Sequence, residues 1–330
     1  MTNLKKSAVL AALALGLSTT TAYAQTEINW WHGMGGHLGD VVNQIATDFN
    51  ASQDDYVITP VFKGSYEETL TAAIAAFRAG EQPNVVQVFD AGAATVMGAA
   101  GATIPVQDLL ENNGVAFDIE DYVAGVRYFY ADTEGKMIGM PFNSSSPVLY
   151  YNMDALTAAG FDAPPATYEE FEAMAPALKE AGYIPLVQTH LPWEFVENFH
   201  SRHNLPFATN DNGYEGADGT EILINSPEMA MHFTKVKEWL DADLFGFFGT
   251  GWDDNQAHFN EGEAAMYIGS SGDFGGLTAA ELPFEWASTY LPYWESITAE
   301  GYQTFIGGAS LFAMAGHSED ENAATAAFFE

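Results

Sequence analysis

Short extended apolar runs alternate along this chain with stretches in which apolar residues recur every three or four positions. Ile28 to Trp31 is the first such run and predicts a strand, followed by a turn through Gly33, Gly35 and Gly36. Leu38, Val41, Val42, Ile45 and Phe49 then follow at helical spacing, an amphipathic helix. Tyr56 to Phe62 reads as a second strand. Ser65-Tyr66-Glu67-Glu68 is a capping box, in which the Ser65 hydroxyl and the Glu68 carboxylate satisfy N–H groups left open at a helix start. That helix turns Leu70, Ala73, Ile74 and Phe77 inward and stops at Gly80. Val85 to Phe89 is a third strand, ending at Asp90. This rhythm predicts an α/β fold with a parallel sheet.

The same rhythm resumes after Met140. Val148 to Tyr151 predicts a strand, and Thr167-Tyr168-Glu169-Glu170 is a second capping box. Ser226-Pro227-Glu228 opens another helix with proline at its first position. The Asn-, Asp- and Gly-rich stretch from His200 to Gly219 predicts loop. No repeat, low-complexity tract or long linker interrupts the chain, so two lobes joined by strands are expected. Ser318-Glu319-Asp320-Glu321 starts a last helix, continued by Ala323, Ala326, Ala327 and Phe328. It ends at Glu330 without a C-cap and with an apolar face uncovered, so the C-terminal part is expected to be missing.

Composition changes the picture at the N-terminus. Lys5 and Lys6, the apolar run from Ala8 to Leu17 and the small residues of Ala22-Tyr23-Ala24 form a secretory signal peptide over residues 1–24. The run is too short to span a bilayer, which takes about 20 residues. No cysteine occurs, which excludes a disulfide framework and a lipid-anchor thiol, so an exported chain of this length must rest on its apolar core. The formal charge is −35, and loss of Lys5 and Lys6 with the signal takes it to −37. Such a surface excludes nucleic acid and anionic lipid as partners. Its plainest meaning is solubility in a salty medium, and it says little about a ligand.

The motifs of phosphate-loop, serine-hydrolase, zinc-protease and cysteine chemistry are absent. His200 and His203 have helical ligand spacing but no third ligand beside them, so they read as ordinary polar side chains; His32 and His37, flanking a glycine turn, read the same way. With 45 acidic residues, paired carboxylates carry no signal. Five clusters of small polar residues and glycine remain, expected at strand-to-helix junctions: Gly64-Ser65-Tyr66, Phe89 to Gly92, Asn143 to Ser146, Gly269 to Gly272 and Gly307 to Ser310. Backbone N–H groups and short hydroxyls converge at such places, where α/β sheets bind ligands.

Several of these segments carry a resemblance. Trp30-Trp31-His32, Lys63 to Glu67, Ala75 to Gly80, Pro141 to Asn152, Glu197-Asn198-Phe199, Asn204 to Ala208, Ser270-Ser271-Gly272 and Ile306 to Ser310 keep the order and spacing seen in the glycerol-3-phosphate-binding branch of the extracellular solute-binding proteins. The wider family, related to the maltose-binding protein, shares Tyr151-Asn152 and Gly262 to Met266. The resemblance implies a two-lobed periplasmic binding protein fold of type II with an interlobe cleft. Lobe 1 would span residues 25–142 and lobe 2 residues 148–302, with residues 303–330 returning to lobe 1 near Phe305.

It implies, further, that Tyr66, Ser145, Ser270 and the Gly308 backbone take a phosphate, that Asp90 takes glycerol hydroxyls, and that Trp193 walls the cleft. Neutral donors for an anion, a carboxylate for hydroxyls and an indole for a carbon chain suit those roles. The chain departs from the family pattern in having Asp90 for the usual Glu and His190 for a second tryptophan. The family's phosphate-binding arginine and a further tyrosine fall beyond residue 330. The expected function is a periplasmic, monomeric ligand-capturing subunit of an ABC importer, not an enzyme. Its partners would be a small phosphate ester and a membrane permease, with no cofactor, no metal, no nucleic acid and no insertion into the membrane. An oligosaccharide-binding protein of the same fold and a secreted phosphodiester hydrolase are the alternatives; the second would need a metal cluster or an activated nucleophile, and the sequence offers neither.

Overall fold

Eleven strands assemble into two sheets in the computed structural model, which describes residues 25–132, 134–188, 192–213, 215–216, 218–249 and 252–330. The expected signal peptide and His190 lie outside the described residues. In chain order the strands are β1 (Thr26–His32), β2 (Tyr56–Phe62), β3 (Val85–Phe89), β4 (Thr103–Ile104), β5 (Met140–Ser145), β6 (Pro147–Asn152), β7 (Leu186–Gln188), β8 (Phe245–Gly246), β9 (Met266–Ser270), β10 (Trp286–Thr289) and β11 (Gly307–Met314). The first sheet runs β2-β1-β3-β11-β4, with β5 also pairing to β11; the second runs β10-β6-β9-β7-β8. Only Ser146 separates β5 from β6, so the chain passes from one sheet to the other in a single step. It returns where β11 begins.

Neither sheet is purely parallel, contrary to expectation. β1 pairs parallel with β2 and β3, and β7 with β8 and β9. β11, however, runs against β3, β4 and β5, and β6 runs against β9 and β10. Apolar runs report that a strand is buried but not which way it points. A strand entering from the other lobe needs no crossover helix, so nothing forces it to be parallel.

Local chemistry explains most helix boundaries. The Ser65 capping box forms in both directions, Glu68 N to Ser65 Oγ at 3.2 Å and Ser65 N to Glu68 Oε2 at 2.8 Å, and starts the helix Tyr66–Ala79. Gly80 ends it in the left-handed conformation, φ 73°. At Thr167 only half of the box forms, because the Glu170 carboxylate reaches past it to Ala166 N at 2.6 Å. In the helix Gly36–Ser52 the buried face is Gly39, Val42 and Ala46, while Leu38 and Val41 are exposed. A β-carbon at Gly39 would come within 2.8 Å of the Met34 carbonyl, so the turn before the helix packs closely on this narrow face. Phe77 is likewise exposed.

Two cores result. Ile28, Trp30, Val42, Ile58, Leu109 and Leu110 form one, on the first sheet. Leu149, Phe171, Leu178, Trp239 and Trp294 belong to the other, on the second. The last helix, Glu319–Phe329, is not left bare: Ala324, Thr325, Ala326 and Phe329 are buried, and Phe328 packs on Trp30 and Phe49. Its inward face is displaced from the one expected at Ala323, Ala326 and Ala327. Part of the stretch expected as loop belongs to the helix Asn198–Arg202, where His200 is buried, as is His203 at its C-cap. Their Nδ1 atoms bond the carbonyls of Val196 and Phe199, both at 2.7 Å, and His203 Nε2 accepts from Trp294 N at 2.8 Å. Both histidines are thus tied to the main chain, His203 through both ring nitrogens and His200 through Nδ1.

Candidate ligand-binding site

In the first lobe the site begins with Tyr66, at the first position of its capped helix. Its ring stacks on Phe89, with centroids 5.7 Å apart and planes 3° from parallel. Its hydroxyl oxygen accepts from Asn143 Nδ2 at 2.9 Å. Burial pushes the phenol up to about 12, an effect opposed by the Asn143 bond and reinforced by the negative charge of Asp90, so the hydroxyl keeps its proton. Asp90 follows β3 directly and opens the helix Asp90–Met97. Its Oδ1 accepts from Ala91 N at 2.8 Å, whereas Oδ2 is buried and meets no hydrogen-bond partner among the described residues. Burial raises the carboxyl to about 6 against the pull of the backbone N–H groups.

Where the sheets connect, Ser145 stands opposite Gly307 and Ser144 opposite Gly308. Gly308 has φ +133°, and a β-carbon there would collide with the Asn143 carbonyl, so only glycine fits. Gly307 is demanded from the other lobe: a β-carbon would sit 2.5 Å from the Trp193 indole. The register Ala309↔Phe89 sets Asp90 beside Gly308. Trp193 and Glu197 are the ends of a π-helical turn, Trp193–Glu197, a form frequent at functional sites. Trp193 Nε1 is buried and, like both oxygens of Glu194, lacks a partner among the described residues. Burial, then the charge of Asp90, lifts Glu197 to about 7; burial lifts Glu194 well above the usual carboxylate range.

Tyr66 thus contacts Phe89 and Asn143, which neighbour Asp90 and Gly308, and Trp193 lies against Gly307, next to Gly308. Ser145 and Ser270 are linked to them through the ladder. Ser270 ends β9 opposite Pro147, its hydroxyl accepts from Gly272 N at 3.0 Å, and its carbonyl accepts from Tyr150 Oη at 2.8 Å. Next to it Ser271 exchanges bonds with Ser146, N to O at 2.8 Å and Ser146 N to Ser271 Oγ at 3.1 Å. Ser145 also borders a cavity of ≈ 460 Å³ between the lobes, with Tyr122, Phe142, Ser146, Ser271 and Ile306, in which none of the other five candidates takes part. Two of the five polar clusters, Asn143 to Ser146 and Gly307 to Ser310, lie at the strand crossings and not at strand-to-helix junctions. The sequence gives no role to Gln87 or Glu194, and it offers Ser271 and Glu197 only as parts of longer motifs. Gln87 carried a signal, a polar residue amid the apolar run Val85–Phe89.

The two lobes and the site at their connection define a ligand-capturing protein of the binding-protein class. The chain belongs to the bacterial extracellular solute-binding protein family, whose pattern it matches over residues 44–330. It is therefore the ligand-capturing subunit of an importer, a binding protein and not an enzyme. Among its relatives is the sn-glycerol-3-phosphate-binding periplasmic protein UgpB of Brucella suis, 40% identical over 98% of this chain and 74% of that one. The protein of the same name from Agrobacterium fabrum is 40% identical over 99% of this chain and 75% of the other. Among solved structures, UgpB from Mycobacterium tuberculosis in complex with glycerophosphocholine superposes with a TM-score of 0.74 at 20% identity, over 93% of this chain and 74% of that one. The GacH receptor of Streptomyces glaucescens gives 0.77 at 17% identity, over 93% and 76%. At these identities both support the fold alone. Among the described residues no helix is long and apolar enough to cross a membrane, and no group of three His, Cys, Asp or Glu is placed to hold a metal.

Proposed function

We propose that this protein captures glycerol 3-phosphate or a glycerophosphodiester in the periplasm, as a monomer, and delivers it to the permease of an ABC importer. The observation that carries the reading is 40% identity, sustained over 98% of the chain, to proteins named for sn-glycerol 3-phosphate. The chemistry of the site supports it. Tyr66, Ser145, Ser270 and the Gly308 N–H are neutral donors for a phosphate, and the unpartnered Oδ2 of Asp90 is a buried acceptor for a glycerol hydroxyl. Trp193 supplies the apolar wall. A neutral donor to a bound charge contributes about 1.5–3 kcal/mol, so Ser145→Ala and Ser270→Ala should each weaken binding roughly ten- to a hundredfold in calorimetry. Equal affinity for free glycerol or maltose, or indifference to both serine changes, would refute a phosphate-centred site.

A further inference from the structure

We propose that Gln87 and Asn143 are positioning residues that force Tyr66 to present its hydroxyl proton to the anionic ligand. The proposal rests on the reading of Tyr66 as a phosphate ligand. Its basis is a chain of three hydrogen bonds with one permitted direction. It starts at the backbone N–H of Gly33, which donates to Gln87 Oε1 at 2.9 Å. A backbone N–H can only donate, so the Gln87 atom it meets must be the oxygen. The amide nitrogen of Gln87 then faces Asn143 Oδ1 at 2.9 Å, and the Asn143 nitrogen faces Tyr66 Oη at 2.9 Å. Each amide has two unlike ends, so neither can reverse without setting oxygen against oxygen or nitrogen against nitrogen. Tyr66 Oη is therefore an acceptor on its Asn143 side, and its proton must point elsewhere.

Among the described residues the proton has no strong acceptor waiting. The contact recorded for it is Met34 Sδ at 3.9 Å, a thioether and a weak acceptor. Gln87 is fully buried within β3, where a polar side chain is costly unless every bond is made. Its two amide ends are both satisfied, one from the glycine turn after β1 and one from β5. The relay thus reads the closing of the first sheet and delivers the result to Tyr66 as a fixed bond polarity. An anion needs donors, so a phenol held in this state is prepared for phosphate before the ligand arrives.

Two substitutions reverse the relay at constant shape. Asn143→Asp keeps the acceptor for Gln87 but replaces the donor to Tyr66 by an oxygen, so Tyr66 must donate inward. Gln87→Glu does the same from one residue further away, since its second oxygen turns the Asn143 amide around. Raman spectra of the tyrosine Fermi doublet distinguish an acceptor phenol from a donor phenol. The contribution of Tyr66 is isolated by subtracting the Tyr66→Phe spectrum. We expect acceptor character in the unmodified protein and donor character in both variants; an unchanged doublet would overturn the relay, whether or not any ligand binds. In calorimetry with glycerol 3-phosphate, each variant should lose about tenfold to a hundredfold in affinity. Each should lose clearly less when introduced into Tyr66→Phe, although the added negative charge is the same. Equal losses in the two backgrounds would mean repulsion alone, and would also overturn the proposal. Failure of the unmodified protein to bind glycerol 3-phosphate would instead overturn the functional reading, and the Raman result would still decide the relay.

Discussion

Replacing Asp90 by Asn should stabilise the ligand-free protein, although it alters a residue of the proposed site. In the fold Asp90 holds its proton up to about pH 6, against 3.8 in the unfolded chain. The folded state binds more protons between those values, so stability is greatest below 3.8 and falls as pH rises through 6. The interval is about 2 pH steps at 1.4 kcal/mol each, which makes the ionised carboxylate cost about 3 kcal/mol at neutral pH. Asparagine removes that cost. Its oxygen can still accept from Ala91 N, and its nitrogen replaces the Oδ2 that has no partner among the described residues. At roughly 2–4 °C per kcal/mol the melting temperature should rise by about 6–12 °C at pH 7.5. At pH 4, where the folded carboxyl is already neutral, the gain should nearly vanish. Calorimetric melts of both proteins at the two pH values provide the measurement. Equal shifts at both pH values, or a loss at pH 7.5, would show that burial of the charge is not what Asp90 costs the fold.

Gly308→Ala should lower the melting temperature by an amount equivalent to about 2 kcal/mol or more, because φ +133° is strained for any β-carbon and that carbon meets the Asn143 carbonyl; an unchanged melt would refute the close approach. Burial pushes His203 down to about 4 and His232 to about 3. Their contribution to stability is present above pH 6.5 and declines as pH falls toward 4, since the unfolded chain takes up the protons first. In an NMR titration neither imidazole should move between pH 7 and 5, and titration of either near 6.5 in the folded protein would contradict the burial.

What could be read from the sequence depended on how local its cause was. The span of β2, the capping box at Ser65 and the stop at Gly80 follow from residues within one turn of each other. The direction of β11 depends instead on strands far away in sequence, and apolar periodicity holds no record of it. Leu38 and Val41 misled because they fit the helical stripe, while the sheet selected a narrower face made of Gly39, Val42 and Ala46. In the site, Asp90 and Trp193 were reached through family resemblance. Gln87 was open to local reasoning, as a lone amide in a buried strand. Glu194 and Glu197 were not, because a π-helical turn leaves no mark among so many acidic residues.

The position of β11 has a consequence for how the molecule comes together. β3, β4 and β5 all pair with this one strand, yet it begins at Gly307, beyond every strand of the second sheet. Until residues 307–314 emerge, the first sheet has a gap where an interior strand belongs, and β3 presents an open edge. Pairing across so many residues closes large loops and is slow. The N-terminal half therefore cannot finish folding on its own, and its completion waits for a strand delivered through the second lobe. A chain halted before β11 would lack a finished first sheet, and with it the platform on which Tyr66 and Asp90 stand.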